Sequence, residues 1–278
     1  MISKIVTGEK IQQLCDIYLG FENDFKSNPV IKNQTEKHFQ LQNINSNFYN
    51  PKNIFCYSHR IKELSEKIHF FQNIFCLFTH NSDEEIRQNI FSIKILNHPF
   101  LESWYSQNIC FEHNKLHLLP IGFANSQWPH GNLEMFNDIN FVQSISNKTK
   151  KVYFNFNIET NRSKREICYE ILKNKIDWLP NIPPKENLTR LKEYEFCICP
   201  EGNGVDTHRL WEALYLKIVP IVIKSEFSNI LQKYKIPLVI LENWNDFDES
   251  MLNYNDYDFS NHSFLNLIDF QQFEKNIT

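Results

Sequence analysis

Three things are scarce in this chain: surplus positive charge, long apolar runs, and cysteines in a pairing pattern. Acidic residues outnumber basic ones, 33 to 29, for a formal net charge of −4. A nucleic-acid binder acting through electrostatics would show the opposite balance, so that class is set aside. No stretch approaches the ~20 apolar residues that span a bilayer. The first fifteen residues also lack the apolar core of a secretory signal. The expectation is a cytoplasmic protein with no transmembrane segment. The seven cysteines, at 15, 56, 76, 110, 168, 197 and 199, are odd in number and scattered. Buried, reduced thiols fit that pattern. Cys197 and Cys199 share one face of a strand-like run, but their spacing is not that of a zinc pair.

What is present is an ordinary globular composition, 42% hydrophobic and 22% charged over 278 residues. That is enough chain for one large domain or two of moderate size. From residue 53 short apolar runs alternate with amphipathic stretches. "NIFCYSH" (53–59) and "NIFCLFTH" (73–80) read as buried strands, and "HLLPIGFAN" (117–125) as a strand leading into a loop. "RIKELSEKIHFF" (60–71) and "SDEEIRQNIF" (82–91) read as helices, as does "GEKIQQLCDIYLGF" (8–21). A polar break at 147–151 precedes a second series in the same style. Strands are expected over 151–158, 193–200, 218–223 and 236–241, with helices over 161–175, 207–216 and 227–234. Such alternation implies parallel strands joined by crossover helices. The reading is an α/β chain of two units, 1–149 and 150–278, the second closed by an acidic, aromatic tail.

One stretch carries chemistry: "CPEGNGVDTHRLWEALYL", from Cys199 to Leu216. Its loop, Glu201–Asp206, joins a strand to a helix, where open α/β sheets place their ligands. Gly202 and Gly204, on either side of Asn203, would let the backbone approach a ligand and expose its N–H groups. Asp206 or Thr207 is the expected N-cap. Arg209 then sits in the first turn, where the helix dipole is already positive. A shared anion such as a diphosphate would resolve that conflict, with Arg209 binding it through two donors. His208, Arg209 and Glu212 fall on one side of the helix. The alternative is an Arg209–Glu212 surface pair with no ligand. The run is neither a P-loop nor a complete dinucleotide fingerprint.

The segment "CPEGNGVDTHRLWEALYLKIVPIVI" resembles the nucleotide-sugar signature of exostosin-like glycosyltransferases, and its general shape is similar to the donor motif of bacterial α1,3-fucosyltransferases. "FTHNSDEEI" (78–86), "LPIGFAN" (119–125), "WPHGN" (128–132) and "YFNFNIETNRSKRE" (153–166) resemble further blocks of small soluble members. Lys217 departs from the pattern, where a glycine is usual. The resemblance implies a GT-B architecture, two Rossmann-like domains with a cleft between them. Residues 1–149 would be the acceptor-side domain and 150–278 the nucleotide-sugar domain. It implies an inverting transfer of sugar from a UDP- or GDP-linked donor to a hydroxyl of a glycan acceptor. By position, Gly202, Asn203, Gly204, Asp206, Thr207, His208, Arg209 and Glu212 would form the donor site. Arg209 would bind diphosphate, Glu212 the ribose or sugar hydroxyls, and Arg165 would be a second diphosphate arginine. Two arginines would replace a divalent metal, so no metal or other cofactor is expected. Asp256-Tyr257-Asp258 is read as incidental.

An inverting transfer also needs a base beyond a strand of the first unit. "THNSDEE" (79–85) offers His80 and Asp83, with Asn81 placed to contact a sugar hydroxyl. The competing reading makes Ser82-x-x-Glu85 a capping box and Asp83 a helix-start residue. Asn125 and His130 are further acceptor-side candidates, His130 also reading as a turn residue. His59 is a weaker option of the same kind. A non-catalytic nucleotide-sugar or glycan-binding module with the same fold remains the alternative function.

Overall fold

The computed structural model describes residues 2–136 and 148–277. These form two compact units: Val6–Gly131, and the remaining described residues, 2–5 with 132 onward. Both are α/β with wholly parallel sheets and a Rossmann-like alternation of strand and helix. No helix among the described residues is long and apolar enough to cross a membrane.

The N-terminal unit has six strands: β1 Ile17–Gly20, β2 His38–Gln40, β3 Asn53–Tyr57, β4 Phe75–His80, β5 Leu101–Ser106 and β6 Leu116–Leu118. Their order is β2-β1-β3-β4-β5-β6. The helices are α1 Gly8–Leu14, α2 Pro29–Lys32, α3 Ile61–Lys67 and α4 Ile90–Leu96. Every residue of β4 is buried, as a parallel strand covered on both faces requires. Fully burying each large apolar side chain of this kind contributes ~1.5–3 kcal/mol.

Two expected helices differ from what forms. The apolar stretch 8–21 is helical only to Leu14. Asp16 then exchanges bonds with Asn53, its N–H donating to Asn53 O and its Oδ2 accepting from Asn53 N, both at 2.8 Å. That exchange starts β1, because an apolar run fits a buried strand as well as a helix. In 82–91, Ile86 is held extended between Asn108 O and Cys110 N–H, at 2.9 Å each. Helix α4 begins only after Asn89, whose side chain forms a reciprocal capping box with Ser92. The box expected at Ser82 and Glu85 does not form; Ser82 Oγ accepts from Glu84 N–H at 3.3 Å instead.

The C-terminal unit has four strands in the order β10-β9-β8-β7: β7 Lys150–Tyr153, β8 Tyr194–Ile198, β9 Val219–Ile223 and β10 Val239–Leu241. Helices α5 Arg162–Leu172, α6 Pro184–Leu191, α7 His208–Tyr215 and α8 Glu226–Lys233 connect them, with α9 His262–Ile268 and α10 Phe270–Ile277 in the tail. Val152, Phe196, Ile198 and Val219 pack with Cys168 and Leu172 of α5 and with Trp244 and Phe247 of the tail. All seven cysteines are buried and unpaired, as the sequence implied.

Helix α7 ends in a Schellman turn. Ile218 N–H bonds Ala213 O at 2.8 Å and Lys217 N–H bonds Leu214 O at 3.0 Å. Lys217 takes φ +53°, a left-handed conformation that glycine adopts without strain. The lysine that departs from the glycosyltransferase pattern therefore occupies a glycine-type position.

Candidate functional site

In the C-terminal unit the loop after β8 is fixed from several sides. Arg165 Nε donates to Glu201 O at 2.9 Å, and Asn161 Nδ2 donates to Gly202 O at 2.6 Å. Gly202 N–H is bonded to Gly204 O at 3.1 Å, so it is spent within the loop and not offered to a ligand as the sequence suggested. Gly202 serves closeness of another kind: a Cβ there would stand 3.2 Å from Arg165 Nη2. Asn203, at the tip, is exposed. Thr207 is the N-cap residue, with extended backbone and no side-chain capping bond. Asp206 is buried and accepts from Trp211 Nε1 at 2.5 Å, which ties the loop to the core. His208 is half-buried in the first turn of α7.

Arg209 is pulled inward. Its Nε donates to Glu212 Oε2 at 3.0 Å, its Nη1 to Asn155 O at 3.0 Å, and its guanidinium lies 5.4 Å from the Tyr153 ring centroid. Burial works against its charge, but Glu212 together with Cys197, Tyr153 and Cys199 outweighs burial and raises its pKa. The expected alternative of an Arg209–Glu212 pair is thus formed, yet it is no surface pair, since the Glu212 side chain is only 9% exposed. Arg165 differs. It is 8% exposed, and its acceptors are two carbonyls, Glu201 O at 2.9 Å and Asn157 O at 2.8 Å. Among the described residues it makes no ion pair. Burial, with Arg209 nearby, lowers its pKa to about 10.

A third arginine escaped the sequence reading. Arg190, in the last turn of α6, donates to the Tyr153 hydroxyl at 2.9 Å and also lies 5.4 Å from that ring's centroid. Its Nε is buried and has no hydrogen-bond partner. A cation at a helix C-terminus is favoured by the dipole alone, so nothing in the sequence marks it out. Arg165 therefore adjoins the Gly loop, Arg190 and Arg209 adjoin Tyr153, and among the described residues Glu212 is paired with Arg209 alone. A pocket of about 410 Å³ lies at the carboxyl ends of β8, β9 and β10; Glu201 and Thr207 of the Gly-loop segment line it, but none of the three arginines nor Glu212 does. Its walls include Ile167, Pro200, Val205, Leu210, Phe227 and Trp244, which make it an apolar slot. An apolar slot next to fixed polar groups is the usual form of a small-ligand site.

The N-terminal candidates sit otherwise. His80 is 1% exposed, donates through Nε2 to Pro120 O at 3.0 Å and accepts at Nδ1 from Asn81 N–H at 2.8 Å. Both ring nitrogens are engaged inside the protein, which is not the arrangement of a substrate-facing base. Asn81, at φ +59°, receives Asn125 Nδ2 on its Oδ1 and donates to Gln12 Oε1, both at 2.9 Å. Asn125 Oδ1 in turn accepts from Glu9 N–H at 2.9 Å. These two asparagines fasten α1 to the sheet and do not face outward as acceptor contacts. The fastening depends on Gly8, where a Cβ would lie 1.9 Å from Asn81 Oδ1. Asp83 lies exposed on the irregular 82–88 segment and starts no helix. His130 is exposed in the loop before Gly131, stacked 6.5 Å from Trp128. No protein-family model matches the chain, and no curated protein matches it in sequence.

Proposed function

We propose that the chain is a glycosyltransferase of the exostosin-like GT-B kind whose C-terminal unit binds a UDP- or GDP-linked sugar. One observation carries this reading: Arg165 is a buried cation answered by carbonyls alone, beside a second arginine whose carboxylate is already used. A buried charge without a counter-charge is costly. A diphosphate would supply the missing negative charge to Arg165 and Arg209, and the apolar slot suits a nucleoside. Glu212 keeps Oε1 for a sugar or ribose hydroxyl. In the transfer, the two guanidinium groups would stabilise the negative charge that develops on the departing nucleoside diphosphate. No divalent metal has a place in that account, and the acceptor would be a glycan hydroxyl in a cytoplasmic setting.

Titration with UDP, GDP and their sugar conjugates, followed by calorimetry, tests the binding step. Release of free nucleotide that depends on a glycan acceptor tests the transfer. Activity lost to a chelator and restored by manganese would overturn the metal-free part. A second reading, a nucleotide-sugar-binding module without catalysis, is favoured by the engaged nitrogens of His80. It predicts nucleotide-sugar binding with no acceptor-dependent release.

A further inference from the structure

The six-stranded sheet of the N-terminal unit has a switch in strand order. From β1 the chain passes to β2 at an edge, then returns to β3 on the other side of β1. Open α/β sheets bind ligands outside the carboxyl ends of the strands at such a switch. Phe21–Asp24 follows β1 there, Ser58–Arg60 follows β3, and side chains join the two segments.

Asp24, with a side chain only 7% exposed, is the joint. Its Oδ1 accepts from His59 Nε2 at 3.0 Å and Arg60 Nη2 at 3.1 Å. Its Oδ2 accepts from Arg60 Nε at 2.9 Å and Phe21 N–H at 2.7 Å. Arg60 also reaches Glu63 Oε1 at 3.3 Å, so its charge is answered inside the unit. Burial alone would raise the Asp24 pKa, but His59, Arg60 and the Phe21 N–H together hold it well below the usual carboxylate range. A carboxylate only accepts, so His59 Nε2 carries the ring proton and Nδ1 keeps its lone pair. Among the described residues Nδ1 has no partner, which makes it a fixed, unused acceptor.

A polar pocket of about 270 Å³ lies against His59, between the segment after β3 and the one after β4. Ser58, which lines it, is 3% exposed, and its Oγ is buried with no hydrogen-bond partner. An unpaired buried hydroxyl costs stability, and a bound polar group would remove that cost. Lys62 on the β3 side and Glu84 on the β4 side make no ion pair among the described residues, whereas Arg87 is paired with Glu85 at 2.5 Å. Ile61, Ile86 and Phe91 supply an apolar part of the wall. The spare polar groups are therefore one cation, one anion, one lone pair and one hydroxyl.

We infer that this pocket binds a free α-amino acid, its carboxylate held by Lys62 and the Ser58 hydroxyl and its ammonium by Glu84 and His59 Nδ1. Each spare group is used once, and no charge of either sign is left over. An apolar amino-acid side chain suits the wall of Ile61, Ile86 and Phe91. A phosphate dianion fits worse, because Glu84 and the His59 lone pair would both repel it. A neutral sugar would leave Lys62 and Glu84 without counter-charges. Asp24 acts through His59, as a positioning residue that keeps Nδ1 an acceptor. The site lies wholly within the N-terminal unit and does not depend on the transferase reading.

The test is titration of the full chain with L-leucine in calorimetry, with the His59 ring signal, assigned through His59→Gln, followed by NMR. L-leucine is expected to bind and to move that signal. N-acetyl-leucine lacks the ammonium and leucinamide lacks the carboxylate. Each should bind at least ~10-fold more weakly, the worth of one charged hydrogen bond. Lys62→Met and Glu84→Gln should each weaken L-leucine binding about 5-fold, as exposed charges do. Ser58→Ala should weaken it several-fold without lowering the melting temperature. Absence of binding by L-leucine, L-methionine and L-phenylalanine overturns the inference. So does equal binding of the two blocked analogues, or a His59 signal that moves only with inorganic phosphate or methyl glucoside. A wild type that binds L-leucine but neither UDP nor GDP overturns the donor reading and leaves this site standing.

Discussion

The loop after β8 and the loop after β4 each follow a buried parallel strand, and both are rich in asparagine, histidine and acid. After β4, polar groups find partners within the unit: His80 uses both nitrogens, and Asn81 is bonded at its N–H, Oδ1 and Nδ2. After β8, charge is left over, because Arg165 is buried without a carboxylate and Arg209 shares Glu212. A satisfied polar cluster holds a fold together, and an unsatisfied charged one points to something from outside. Residue type did not separate the two loops. The count of partners did.

The largest expected effects set the two arginines against each other. Arg209→Ala leaves Glu212 charged and buried, which should cost about 3–5 kcal/mol in urea unfolding and abolish nucleoside diphosphate binding. Arg165→Leu should abolish the same binding at much smaller cost, about 1 kcal/mol, since it strands two carbonyls but no opposite charge. Equal destabilisation by both would break the comparison. Next comes the satisfied cluster. Gly8→Ala drives a methyl into Asn81 and His80 and should cost about 3 kcal/mol, with nucleotide affinity in the C-terminal unit unchanged in calorimetry.

Acid offers a third test, in the ion pair of the N-terminal unit. A carboxyl whose folded pKa is depressed contributes stability above its unfolded pKa of about 4, and that contribution disappears as pH falls through this value toward the folded one. Asp24→Asn should therefore be less stable than wild type at pH 7, by about 1–2 kcal/mol after allowance for solvent screening. The gap should narrow in unfolding curves recorded near pH 3; a constant gap would show that the Asp24 charge is not what is lost. The smallest effect concerns a cost with no ligand attached to it. Lys217→Gly relieves the left-handed φ and should raise stability by about 1 kcal/mol, seen as a higher melting temperature.

Much of this architecture was legible because parallel strands covered on both faces must be apolar runs, and crossover helices must be amphipathic. The strands at 53–59, 73–80, 193–200 and 218–223 were placed for that reason. Arg209 and Glu212 were found through their spacing on one helix. The errors have equally physical sources. In 8–21 an apolar run served a helix and a strand in succession, and the choice was made by Asn53, far along the chain. In 82–91 the charges suited a helix start, but Asn108 and Cys110 held Ile86 extended. Arg190 stayed hidden because a cation in a last helical turn needs no explanation.

By itself the sequence determined the α/β alternation, the buried thiols and the position of the glycine loop between strand and helix. These follow from local periodicity and from the chemistry of single side chains. Only the tertiary structure decided which polar groups were left without partners. It joined Asp24 to His59 and Arg60 across the switch of the sheet, closed His80 into the interior, and left Arg165 with carbonyls alone. Hydrogen bonds and ion pairs between distant segments depend on how strands are ordered, and strand order is not written in any short stretch of chain.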